Sequence, residues 1–265
     1  MNTNRTSIER ISTPLFLILT PLISLAIPFL PLPAEATPLV LVLVPALLAI
    51  LLTATTGGRK NLGALLRKPF QWRVGFKWYA IALSLAVGMR LVMSLLALGL
   101  GWIPAIRMRP WPPQLFIIFG VVVLFGALME ELGWRGYLLP RLLANRPALM
   151  SALIIGVPWG VIHLGLLLPG QMNAGAPWLP TILQLVGLSV TITWLFVQTR
   201  GNLVIPILYH AWQSYFAFFN EGLTVTQSSW LFTVVTLGLA FILVLLYGAE
   251  LQRKAVKRPA VLDAR

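Results

Sequence analysis

Apolar residues run in long blocks at about 12–32, 36–54, 75–101, 114–134, 149–168, 178–198, 202–219 and 230–248, and most polar residues fall between them. Each block reaches or nearly reaches the roughly 20 residues that an α-helix needs to cross the hydrocarbon core of a bilayer. The pattern predicts an all-α fold, a polytopic membrane bundle of about eight transmembrane helices. Pro31 and Pro33, Trp111-Pro112-Pro113, and Pro177-Trp178 punctuate the blocks. Proline suits the start of a helix, and tryptophan suits the membrane interface. The chain divides into N-terminal helices with a basic loop (1–112), a helix core (113–220), and a last helix with a basic tail (221–265).

Composition agrees with this reading. Of 265 residues 58% are hydrophobic and only 10% charged, whereas a soluble domain carries about 25% charged residues. There is no cysteine, which removes disulfides, thiolate metal sites and cysteine nucleophiles together. The net charge of +13 forms no arm or face for nucleic acid, and no nucleic-acid partner is expected. It orients the chain instead. Arg5, Arg10, Arg59, Lys60, Arg67, Lys68, Arg73, Lys77, Arg135, Arg141, Arg146, Arg200 and the basic tail from Arg253 fall on one side, against Arg107 and Arg109 on the other. The positive-inside rule then predicts a cell-membrane protein with both termini cytoplasmic. The first block follows Arg5 and Arg10 and precedes Ala34-Glu35-Ala36, as in a signal peptide. Its length and its prolines, Pro14, Pro21 and Pro28, favour a retained helix. Segment 55–77 reads as a solvated basic loop, with a short interfacial helix built on Leu62, Leu65 and Leu66 as the alternative. The basic tail after Glu250 is expected to be disordered.

Ionisable side chains inside a span are costly, so they mark function by default. Glu130 and Glu131 are the two acids within a hydrophobic block, both histidines (His163 and His210) lie within others, and Arg90 is the basic residue in mid-span. Glu131 and Arg135 are four apart and stack on one helix face. Glu130 points about 100° away, free to face a cavity. A carboxylate without a cation partner in apolar surroundings suits general-base work near neutrality; a salt-bridged pair beside a snorkelling carboxylate is the other reading. Measured from the predicted cytoplasmic helix ends, Glu130, His163 and His210 lie at roughly 20, 21 and 12 Å, close enough in depth to meet. Arg90 is expected to pair with one of the glutamates or to bind a substrate carboxylate.

Several hydrolase classes are excluded. There is no His-Glu-x-x-His sequence. Asp263 in the tail is the one aspartate, so neither an aspartyl dyad nor a Ser-His-Asp triad can form. No phosphate-binding glycine loop appears. What remains is glutamate and histidine chemistry on water.

Glu130-Glu131-x-x-x-Arg135, Trp159-x-x-x-His163 and His210-x-x-x-Ser214 occur in that order. They are joined by Arg135-Gly136-Tyr137-Leu138-Leu139-Pro140-Arg141 and by Thr199-Arg200-Gly201-Asn202-Leu203. Over about 120–215 the chain resembles the CAAX prenyl protease and bacteriocin-processing (CPBP, or Abi) family, whose pattern is Glu-Glu-x-x-x-Arg, Phe-x-x-x-His and His-x-x-x-Asn. The resemblance implies an intramembrane endopeptidase acting on a peptide or membrane-protein substrate within the lipid bilayer. Glu130 and His163 would activate water, His210 and Ser214 would support the oxyanion, and Glu131 and Arg135 would orient the site. It leaves open a divalent metal such as zinc held by the histidines and glutamates. Trp159 stands at the phenylalanine position and keeps an apolar wall toward substrate. Ser214 stands at the asparagine position with one donor in place of two; Gln213, one residue earlier, is the substitute carboxamide. The alternatives are an ion-coupled membrane transporter and a non-catalytic scaffold or immunity protein.

Overall fold

The computed structural model describes residues 7–107, 112–215 and 222–252, with side chains from Ile11 onward. Arg5, Arg109, Trp111, Glu221 and the basic tail from Arg253 lie outside the described residues. The described chain is helical: α1 (Ser7–Ala26), α2 (Ala36–Arg67), α3 (Phe76–Gly99), α4 (Pro113–Glu131), a π-helix (Leu132–Leu138), α5 (Leu139–Leu143), α6 (Ala148–Ile162), α7 (Trp178–Gln198), α8 (Val204–Tyr215) and α9 (Val225–Tyr247). Among the described residues seven helical stretches are long and apolar enough to cross a membrane. The eighth apolar block corresponds to α8, of which 12 residues are described. The protein is an integral, multi-pass membrane bundle.

In lipid the helices have no hydrophobic drive toward one another, so close backbone approach through small residues does much of the packing. Gly156 and Gly160 of α6 set its backbone against α7: a Cβ at Gly156 would lie 2.8 Å from Val186 Cα, and one at Gly160 would lie 2.7 Å from Ile182 Cα. Gly187 does the same for α7 against α9, with Thr236 carbonyl carbon at 2.7 Å. Helix α7 is therefore the central post, with α6, α8 and α9 packed on it.

Two departures from a plain helical reading position the site. The glutamate helix widens to a π-helix just after Glu131, closed by Leu139 N–H donating to Trp134 O. Pro140 has no N–H to return to Gly136 four residues back, and Lys68 Nζ donates to that carbonyl instead, at 2.7 Å. Second, segment 55–77 is not a loop through its first half. Helix α2 turns at Gly58 (φ 63°) and continues to Arg67. Leu65 is buried and lies close to Gly136, so this stretch docks on the π-helix. Beside the same contact, Gly201 takes a left-handed conformation (φ 84°). Asn202 Oδ1 then accepts the Val204 N–H at 2.9 Å and starts α8, while Asn202 Nδ2 donates to Gln71 O at 2.7 Å.

Candidate active site

Glu130 and Glu131 end α4 where it meets the π-helix, and both are buried. Their surroundings differ. Glu131 Oε1 accepts from Arg135 Nη1 at 2.9 Å and lies 3.0 Å from His210 Nδ1. Glu130 has no Lys or Arg at ion-pair distance among the described residues. Its Oε1 accepts from the indole Nε1 of Trp159 at 3.1 Å. His210 Nε2 lies 3.5 Å from Glu130 Oε2, and His163 Nε2 lies 3.9 Å from Glu130 Oε1.

The histidine tautomers follow from their partners. His163 Nδ1 lies 2.8 Å from the Trp159 carbonyl, which only accepts, so Nδ1 carries the proton. His210 Nδ1 faces a carboxylate oxygen and donates as well. In the neutral state each ring therefore turns an Nε2 lone pair toward Glu130. Such backbone and carboxylate partners are the usual way a functional imidazole is fixed. Trp159 binds the group together. Its ring packs edge-on against His210 (centroids 5.2 Å apart) and carries the Arg135 guanidinium on its face at 4.6 Å. Burial grades across the cluster: the Glu130 side chain is 3% exposed, that of His210 12% and that of His163 20%. The histidine side is thus the more exposed side of the cluster.

Six of the nine residues singled out in the sequence are brought together here: Glu130, Glu131, Arg135, Trp159, His163 and His210. The other three are not. Arg90 is buried but pairs with neither glutamate; Nη2 donates to the backbone carbonyl of Gln213 at 2.5 Å, and its guanidinium lies over the Phe232 ring at 4.3 Å. This backbone acceptor was open to α3 because α8 packs directly against it. The Gln213 carboxamide is turned toward Met89 Sδ (3.2 Å) and the Tyr209 hydroxyl (3.3 Å), so it does not stand in for the missing asparagine. Ser214 is half-buried, one turn beyond His210, and makes no hydrogen bond among the described residues. Trp159 does more than provide an apolar wall, since a phenylalanine could not donate to Glu130. Sequence reasoning missed Ser189, whose hydroxyl accepts from Arg135 Nη2 at 3.1 Å; an uncharged serine in an apolar helix carries no signal.

Among the described residues no group of three or more His, Cys, Asp or Glu side chains is arranged to hold a metal ion. One Glu130 oxygen is taken by the indole, and the Glu131 oxygen nearest His210 is shared with Arg135. As arranged, these side chains do not fit a bound zinc.

Residues 112–216 match the family described as Type II CAAX prenyl endopeptidase Rce1-like. The chain is also similar to CAAX prenyl protease 2 of Methanococcus maripaludis, 26% identical over 105 residues, or 37% of this chain and 37% of that protein. The chain thus spans little more than a third of the length of that relative. The matched stretch contains all six clustered residues, and over it the chain is similar to the CAAX prenyl proteases.

Proposed function

We infer that the protein is an intramembrane endopeptidase in which Glu130 is the general base. The observation that carries this is a buried carboxylate with no partner Lys or Arg among the described residues, held by an indole N–H and flanked by two imidazole nitrogens of fixed tautomer. The 3.5 and 3.9 Å separations exceed a direct hydrogen bond. A water entering from the histidine side is then within reach of Glu130 and His163 together. Glu130 takes its proton as oxygen attacks the peptide carbonyl, and the same proton goes to the leaving amine as the C–N bond breaks. His210, when it holds a second proton on Nε2, donates to the developing oxyanion. Glu131 is neutralised by Arg135 and serves to orient His210. The substrate is a peptide or membrane protein whose scissile bond reaches this depth from the cytoplasmic side.

The test is cleavage of a fluorogenic membrane-peptide library by purified protein in detergent, with and without a chelator. Glu130→Ala and His163→Ala are expected to lower turnover by about 10²–10⁴-fold at unchanged fold. Equal turnover in wild type and both variants would refute the assignment. Solute uptake that depends on Glu130, in a protein that cleaves nothing, would replace it with transport.

A further inference from the structure

We propose that Ser189, in α7, is a positioning residue of this site, acting through Arg135 and Glu131 on His210; the proposal rests on the peptidase reading above for its kinetic consequence only. Ser189 is fully buried and lies outside the three motif-bearing stretches. Its Oγ–H donates to the Ala152 carbonyl of α6 at 2.7 Å. That carbonyl cannot donate, so the direction of the bond is fixed and the remaining lone pairs of Oγ face Arg135 Nη2 at 3.1 Å. Arg135 continues through Nη1 to Glu131 Oε1 (2.9 Å), and the same oxygen receives His210 Nδ1 (3.0 Å). His210 then presents Nε2 to Glu130 Oε2 at 3.5 Å. A continuous chain of hydrogen bonds runs from the backbone of α6 to His210, whose Nε2 faces the general base.

The serine has a specific task in that chain. The Arg135 side chain is 0% exposed and its Nε has no partner among the described residues. Without Ser189 the guanidinium would be held by one bond to Glu131 and by the face of Trp159, an arrangement that leaves its plane free to rotate about that bond. A second anchored nitrogen fixes the plane, and with it the direction from which Glu131 Oε1 meets His210. Space limits what can occupy the position. The α6 and α7 backbones approach closely at this point, where a Cβ at Gly156 would lie 3.0 Å from Ser189 Cβ. Serine supplies an acceptor there.

Ser189→Ala removes the oxygen and little else. The chain holds two histidines, so ¹⁵N-histidine labelling of the full-length protein in detergent yields two imidazoles. In wild type both are expected as Nδ1–H tautomers. In Ser189→Ala the His210 signals are expected to shift toward a tautomer mixture. The His163 signals stay, because the Trp159 carbonyl holds that ring independently. In the peptide assay kcat is expected to fall about tenfold with KM within twofold. The same substitution in an Arg135→Lys background, which keeps the charge but lacks the second arm, is expected to change kcat by less than about twofold. Ser189→Cys, of similar volume but a poorer acceptor, is expected to behave like Ser189→Ala and serves if the alanine variant folds poorly. An unchanged His210 tautomer, or a loss of kcat as large in the Arg135→Lys background as in wild type, would overturn the proposal. If wild type cleaves nothing, the peptidase reading falls and the tautomer spectra alone decide the role of Ser189.

Discussion

Two glycines on the seam between α2 and the glutamate helix make a matched experiment. At Gly133, an added Cβ would lie 2.5 Å from Pro45 Cβ and 2.6 Å from its carbonyl carbon and oxygen. At Gly126, two turns earlier, the nearest atom would be Val42 Cγ1 at 3.8 Å. Ordinary carbon contacts are about 3.5–4.0 Å, so Gly133→Ala must push the π-helix from α2 by about 1 Å. No rotamer change relieves this, because the obstructing atoms are a backbone carbonyl and a proline ring. Glu131 lies two residues before Gly133 and Arg135 two residues after, so the displacement passes directly into the site. A misplacement of that size costs on the order of 10²-fold in rate, and overpacking costs about 1–3 kcal/mol in stability. Gly126→Ala meets ordinary contact and is expected to gain about 0.5–1 kcal/mol from helix propensity. Tryptophan-fluorescence melting in detergent reads the stability, and peptide cleavage well below the melting midpoint reads the rate. A Gly133→Ala protein with wild-type midpoint and wild-type turnover would refute the argument that the α2 contact sets the site.

The remaining expectations concern single bonds. Lys68→Met leaves the Gly136 carbonyl without its donor and is expected to lower stability by about 1–3 kcal/mol. Denaturant or thermal unfolding checks it, and Lys68→Arg should recover part of the loss. Trp159→Phe keeps a ring between the histidines but removes the N–H that holds Glu130. Turnover is expected to fall about tenfold through lost orientation of the base, with the folded fraction preserved. Full activity in that variant would show that the indole acts only as a wall.

The spans were legible because length and hydropathy are properties of one segment, and all eight apolar blocks have helical counterparts. The Glu131–Arg135 bond was legible for a similar reason: two residues of opposite charge, four apart on a helix, announce each other. The meeting of Glu130 with His163 and His210 was legible through the motif resemblance and through depth, which places groups near one level without saying which faces turn together. What escaped has a common physical form. Lys68 bonds to the carbonyl of Gly136, Arg90 to that of Gln213, Ser189 to that of Ala152, and Asn202 to that of Gln71. Every residue supplies a carbonyl, so the acceptor leaves no mark on the sequence and the donor alone cannot identify it. Arg90 illustrates the error this causes, since a buried cation was matched to the nearest conspicuous anions when a backbone oxygen on a neighbouring helix sufficed. In a membrane, helix carbonyls freed by proline or by a widened turn are costly unless paired. Pro140 declares such a carbonyl at Gly136. A proline four residues beyond a glycine, inside a span and near a distant lysine-bearing surface segment, is therefore the pattern from which the Lys68 bond could have been anticipated.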